Sequence, residues 1–116
     1  MRNRFRLAAA AAVLISPLVG LAHAKLLSTS PAAGAELAAA PKALTLDFNE
    51  NVQLAVLKVS SGGKDVAVPY DSGASASHVA VALPALAPGT YQVRWSALTV
   101  DDGHVVKGAF SFVIKP

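Results

Sequence analysis

The alternation of apolar and polar residues over residues 90–98 constrains the fold of this chain more than any other feature. One side of the segment would carry, in order, Tyr91, Val93, Trp95 and Ala97. Because successive side chains of a β-strand point to opposite faces, this pattern predicts a half-buried strand with Trp95 near the middle of a core.

Comparable patterns recur along the chain and predict an all-β domain of about seven strands. The other predicted strands lie near residues 25–28, 44–49, 52–60, 64–69, 78–83 and 107–115. Gly62-Gly63 predicts a tight hairpin turn, and residues 32–40, which prolines bracket, predict an irregular connection. Strand spacing of this kind is typical of a small antiparallel Greek-key β-sandwich with an immunoglobulin-like arrangement.

Residues 1–22 have the composition of a secretory signal peptide. Three arginines lie within the first six residues, an unbroken apolar run covers residues 7–15, and small residues follow. The apolar run is shorter than the roughly 20 residues that a transmembrane helix needs. Cleavage after Ala22 and cleavage after Ala24 both satisfy the small-residue rule, so these residues leave two mature N-termini open.

Removal of the predicted signal changes the charge of the chain. The three signal arginines account for the net charge of +3, and seven basic and seven acidic residues remain. A neutral chain without a basic cluster argues against a nucleic-acid-binding surface, and the even spread of charge predicts a monomer.

Residues 23–116 suffice for one small domain. The chain has no cysteine, which excludes disulfides, zinc–thiolate sites and cysteine nucleophiles.

His23 would become the first residue of the exported protein if cleavage follows Ala22. Its free α-amine and its imidazole would then form a two-nitrogen chelate, which suits Cu(II) in tetragonal geometry. The sole methionine is Met1, so a thioether site for Cu(I) is excluded once the signal is removed. Cleavage after Ala24 would instead remove His23.

Asp102, Gly103 and His104 form a second candidate group before the last predicted strand. Asp-Gly is a strong turn dipeptide, and a turn alone explains the motif. Asp102 and His104 would also share one side of an extended segment, where both could bind one metal ion. The residues leave both interpretations open.

Two further residues are considered as site candidates. Glu50 is either a solvated acid at a strand end or a partner that orients a metal ligand. His78 is interpreted as a solvated histidine at a strand start.

Together these motifs resemble the CopC family of periplasmic copper-binding proteins. The matching segments run in order along residues 23–116: His23-Ala24-Lys25-Leu26, Ser30-Pro31-Ala32, Leu44-x-Leu46-x-Phe48-x-Glu50, Pro88-Gly89-x-Tyr91-x-Val93-x-Trp95, Asp102-Gly103-His104 and Gly108-x-Phe110-Ser111-Phe112. The resemblance implies a Greek-key β-sandwich and cleavage after Ala22. It also implies a Cu(II)-only type, because the methionine-rich segment of some relatives is missing here.

The resemblance further implies one Cu(II) ion bound by His23, Asp102 and His104, with His23 supplying both its α-amine and its imidazole. Glu50 would lie beside this site without binding the ion. Three nitrogens and one carboxylate oxygen suit tetragonal Cu(II). The implied function is a periplasmic Cu(II) carrier of copper homeostasis and resistance, which sequesters copper or delivers it to a partner such as an inner-membrane copper transporter.

Two other functions are compatible with individual features of the chain. Copper monooxygenases also chelate copper through an N-terminal histidine, but they keep an open coordination position on a flat, aromatic surface. Aromatic residues number seven here, and most fall at inward strand positions. The sequence therefore favours a binding protein over an enzyme. An exported structural domain without a metal would also explain the β pattern, and it predicts no tight Cu(II) complex.

Overall fold

A computed structural model describes residues 24–116; the predicted signal peptide at residues 1–22, its cleavage site and His23 lie outside this range. All regular secondary structure among the described residues is β-strand, which confirms the all-β prediction. The strands are β1 (Leu26–Ser30), β2 (Glu36–Leu37), β3 (Ala43–Ser61), β4 (Lys64–Val66), β5 (Ser75–Ala82), β6 (Gly89–Thr99) and β7 (Val105–Ile114). Within this range no helix is long and apolar enough to cross a membrane.

β3 runs through the middle of the strand network and joins its two parts. Its first part pairs with β1 and β5, and its second part pairs with β6 and β4. The register against β5 shifts between Asp47 and Val52. The sequence predicts two strands here, whereas the structure has one strand of 19 residues. Backbone pairing continues past an irregularity of this kind, so the change in side-chain pattern does not mark the end of a strand.

The connections differ from the prediction chiefly in two places: β4 ends at Val66 rather than near residue 69, and residues 32–40 contain a strand. Gly62 and Gly63 have φ angles of 59° and 80° and form the predicted hairpin turn, because glycine adopts this left-handed region without steric cost. The connection at residues 32–40 contains β2, which pairs in parallel with the end of β7. A strand of two residues has no periodicity that a sequence pattern could reveal.

The core lies between the inward faces of the strands, as the alternation predicts. Its buried residues are Ala24, Leu44, Leu46, Phe48, Val52, Leu54, Leu57, Val59, Val81, Tyr91, Val93, Trp95, Ala97, Phe112 and Ile114. Phe48 on the first part of β3 meets Trp95 of β6 edge to face, with ring centroids 5.3 Å apart. Because Phe48 belongs to the part of β3 that pairs with β1 and β5, this contact packs the two parts of the strand network against each other. The predicted β-sandwich, with Trp95 in its core, is confirmed.

The middle of β3 brings the start of the described chain and the end of β6 to one end of the sandwich. The N–H of Lys25 donates to Asn49 Oδ1 at 2.7 Å, and the N–H of Asn49 donates to the Lys25 carbonyl at 3.0 Å. Two residues further along β3, the carbonyl of Asn51 accepts from the N–H of Val100 at 3.3 Å. The chain that follows His23 and the connection between β6 and β7 therefore contact neighbouring residues of β3.

Candidate metal centre

The connection between β6 and β7 is a tight turn from Thr99 to His104. The N–H of Gly103 donates to the Thr99 carbonyl at 3.0 Å, and the N–H of Thr99 donates to the His104 carbonyl at 2.9 Å. Gly103 has a φ angle of 71°, a conformation that favours glycine. The turn interpretation of Asp-Gly is therefore correct, and the turn determines how the residues on either side of Gly103 are oriented.

Asp102 and His104 contact each other within this turn. His104 Nδ1 lies 2.8 Å from Asp102 Oδ2, and the N–H of His104 donates to Asp102 Oδ1 at 3.1 Å. The side chains of His104 and Asp102 are 57% and 32% exposed, so an ion from solution can reach both. The structure brings together the aspartate and the histidine that the sequence identifies.

The carboxyl group of Asp102 is held in its charged form. The hydroxyl group of Thr99 donates to Asp102 Oδ1, and this hydrogen bond is the main reason that the pKa of Asp102 lies well below its usual range. Hydrogen bonds from the His104 side chain and backbone lower this pKa further. Asp102 is therefore deprotonated at neutral pH, as a metal-binding carboxylate must be.

Replacement of Asp102 by asparagine should lower the stability of the copper-free protein only where the wild-type carboxylate is charged. A carboxyl group whose pKa is lower in the folded protein adds stability above the ordinary aspartate pKa of about 4, and this contribution is lost as the pH falls toward the folded value. We expect the difference in Tm between the two proteins to be largest above about pH 5 and to shrink below about pH 4. Thermal unfolding at several pH values measures this difference, and a gap that stays constant into strong acid would contradict it.

Glu50 lies in the part of β3 that contacts both ends of the predicted site. Its neighbour Asn49 contacts Lys25, and its other neighbour, Asn51, contacts Val100 at the start of the β6–β7 turn. Glu50 itself is half-buried. This position is compatible with the predicted role beside a metal ion, which stays a prediction.

His23 lies outside the described residues, directly before Ala24, which is buried in the core. Among residues 24–116 there is no group of three or more histidine, aspartate or glutamate side chains that could hold a metal ion. If Asp102 and His104 bind a metal ion, the other donors must come from outside these described residues; the resemblance to the CopC family implies that His23 supplies them, and this site stays a prediction.

A second histidine–aspartate pair joins β3 and β5. Asp47 and His78 lie opposite each other in the antiparallel register, and His78 Nδ1 contacts Asp47 Oδ1. Ser28 on β1 donates to the other carboxylate oxygen of Asp47 at 3.3 Å. The sequence interpretation of His78 is wrong in one respect and incomplete in another: His78 lies within β5, not at its start, and its side chain is 63% exposed, yet it is paired. Only the register of the strands reveals this partner.

Thr99 is a site residue that the sequence reasoning missed. It is 2% exposed and continues the inward series of β6 beyond Ala97, whereas the predicted strand ends at Leu98. A usable signal was present: a threonine at an inward position of a strand, directly before an Asp-Gly turn. Because buried hydroxyl groups are hydrogen-bonded, a bond from such a residue to the turn could have been predicted.

Comparison with known proteins identifies the family. The CopC domain matches residues 26–115. Protein YobA of Escherichia coli K12 is 34% identical over 118 residues, which cover 97% of this chain and 94% of that protein. Copper resistance protein C of Pseudomonas syringae pv. tomato is 34% identical over an alignment of 129 residues, gaps included, that covers 98% of this chain and 97% of that protein.

Two solved structures share the fold. CopC from Methylosinus trichosporium OB3b aligns with a TM-score of 0.67 at 31% identity, covering 81% of this chain and 95% of that one. PcoC, a copper resistance protein from Escherichia coli, aligns with a TM-score of 0.65 at 27% identity, and the alignment covers 78% of this chain and 99% of PcoC. These matches define a class of small β-sandwich binding proteins rather than enzymes. The chain belongs to the CopC family, as its motifs predict.

Proposed function

We propose that this protein is a periplasmic Cu(II)-binding protein of copper homeostasis and resistance, with one ion bound by His23, Asp102 and His104. The observation that supports this most is the contact of 2.8 Å between His104 and Asp102 in a solvent-exposed turn. Membership of a family whose relatives include copper resistance proteins agrees with it. The proposal includes cleavage after Ala22, which would make His23 the N-terminus.

The donor chemistry of the Asp102–His104 pair fits a copper ion. Cu(II) accepts imidazole and carboxylate ligands in tetragonal geometry. Two neighbouring donors at right angles, each about 2.0 Å from a metal, lie about 2.8 Å apart. The separation of His104 Nδ1 and Asp102 Oδ2 has this value, so the pair can become two ligands once the proton between them is lost and the side chains turn toward the ion. The α-amine and imidazole of His23 would supply the other two donors.

The arrangement suits a protein that takes up and releases an ion. Asp102 and His104 are exposed, and the remaining donors would come from the end of the chain, so an ion could be exchanged without unfolding the sandwich. We propose that the protein acts as a monomer that sequesters copper or passes it to a partner such as an inner-membrane copper transporter.

The copper monooxygenase alternative lacks the surface that such an enzyme needs. Six aromatic residues lie within residues 24–116; Tyr70 and Phe110 are partly buried and the others are buried, namely Phe48, Tyr91, Trp95 and Phe112. The described surface therefore has no aromatic platform for a polysaccharide. Asp102, as a ligand, would also occupy an equatorial position that oxygen chemistry requires.

Titration with Cu(II) tests the proposal. We expect wild type to bind one equivalent tightly and His104→Ala to bind at least about 10- to 100-fold more weakly, because the variant lacks an imidazole donor. His78→Ala is the matched control, since it removes another exposed histidine that contacts an aspartate, and it should leave this equivalent unchanged. Competition with a chelator of known affinity measures both. A wild type without a tight equivalent, or a loss in His78→Ala instead, would refute the proposal.

A further inference from the structure

Thr99 lies beneath the turn that carries Asp102 and His104. Its side chain is buried, and its hydroxyl group lies among polar groups of both residues. The hydroxyl donates to Asp102 Oδ1 and accepts from the N–H of His104 at 3.0 Å; it also lies 3.3 Å from the His104 carbonyl oxygen. One residue of β6 therefore contacts both members of the candidate metal-binding pair.

These contacts determine which oxygen of Asp102 faces the imidazole. Oδ1 accepts from the Thr99 hydroxyl and from the His104 N–H, so it is directed toward the protein. Oδ2 is left beside His104 Nδ1. Without the hydroxyl group, the carboxylate would lose a buried anchor and could rotate about its side-chain bonds.

Thr99 is itself held by a rigid part of the fold. It is paired with Val52 of β3 in the antiparallel register, and its N–H donates to the His104 carbonyl at 2.9 Å. Asp102 and His104, by contrast, lie in an exposed turn. A side chain in an exposed turn keeps a defined orientation only when a fixed group holds it.

We propose that Thr99 is a positioning residue for copper binding: its buried hydroxyl group holds Asp102 Oδ1 and the His104 backbone, so that Asp102 Oδ2 and the His104 ring are directed together toward the ion. The inference rests on the proposed function, because it takes Asp102 and His104 as the ligands. Groups that hydrogen-bond to metal ligands orient them, and loss of such a group typically lowers metal affinity by about 10- to 100-fold.

Two substitutions at Thr99 separate the hydroxyl group from the methyl group. Thr99→Val removes the hydroxyl at similar size, and we expect it to raise the Kd for Cu(II) by about 10- to 100-fold. Thr99→Ser retains the hydroxyl, and its Kd should stay close to that of wild type. Thr90→Val, at the other end of the same strand, is the matched control and should bind as wild type does. Thr99→Ala, which also lacks the hydroxyl, replaces the valine variant if that protein does not fold.

A spectroscopic readout distinguishes orientation from packing. At saturating Cu(II), the copper hyperfine splitting in the electron paramagnetic resonance spectrum should change in Thr99→Val and return to the wild-type value in Thr99→Ser. In the copper-free protein, the His104 amide should exchange with solvent faster in Thr99→Val. Equal losses in the valine and serine variants with an unchanged spectrum would show a packing role and overturn the inference.

The outcomes also separate this inference from the proposed function. If wild type binds one tight equivalent and Thr99→Val binds it equally well, the role of Thr99 is wrong and the proposed function stands. If wild type binds no tight equivalent, the proposed function is wrong, and the role of Thr99 in copper binding is wrong with it.

Discussion

One alanine added ahead of His23 in the mature protein should weaken Cu(II) binding by more than about 100-fold, beyond the range for loss of a group that merely orients a ligand. The extension converts the α-amine of His23 into an amide, which is not a basic donor, and so breaks the amine–imidazole chelate. Chelator competition on proteins with defined N-termini measures the effect.

The control for this experiment is an alanine added after Pro116, which leaves the N-terminus unchanged and should not alter the affinity. Intact-mass measurement of the exported protein, alone and with one equivalent of Cu(II), establishes the N-terminus itself. Equal binding by the N-terminally extended protein would exclude the α-amine as a ligand. A mature chain that begins at Lys25 would exclude His23 from the site altogether.

Phe112→Ala should destabilise the protein by about 3–5 kcal/mol. Phe112 is 1% exposed, and its ring stacks on Tyr91 with centroids 5.4 Å apart, so the substitution removes buried apolar surface and leaves a cavity. The loss is large against the roughly 5–15 kcal/mol that stabilises a typical domain, and without cysteine this chain has no disulfide to limit unfolding. Unfolding in urea measures the difference in free energy.

Val105→Ala is the matched control, because Val105 lies on the same strand but is 62% exposed. We expect it to change the free energy of unfolding by no more than about 0.5 kcal/mol. Similar losses in the two variants would mean that the inward face of β7 does not supply the core in the way that the structure describes.

Most of the fold could be predicted because its main signal is local. The inward orientation of the β6 residues from Tyr91 to Ala97 can be predicted because apolar and polar residues alternate with a period of two, which a few neighbouring residues display. The length of β3 and the pairing of β2 could not be predicted in the same way. The first depends on pairing that continues past a register shift, and the second depends on a partner strand more than 70 residues away.

The residues of the candidate site show the same difference between local signals and long-range contacts. Asp102 and His104 are two residues apart, so the sequence offers them as a candidate pair; a turn alone also explains them, and only the resemblance to the CopC family implies that they bind a metal ion. Thr99 was missed because its importance depends on burial, and the partner of His78, which lies outside the site, was missed because it depends on strand register. Burial and register depend on the whole sandwich, and no short window of residues contains them.

The sequence by itself determined that this chain forms a β-sandwich of the CopC family and that Asp102 and His104 form a candidate pair, because alternation, turn residues and the order of short motifs are visible along the chain without knowledge of which strands pair. Only the tertiary structure decided that the pair rests on Thr99 and that the middle of β3 joins the start of the described chain to the β6–β7 turn. These features arise from hydrogen bonds between residues that meet only when the strands pair, and the free energy of burying the core is what holds those strands in register.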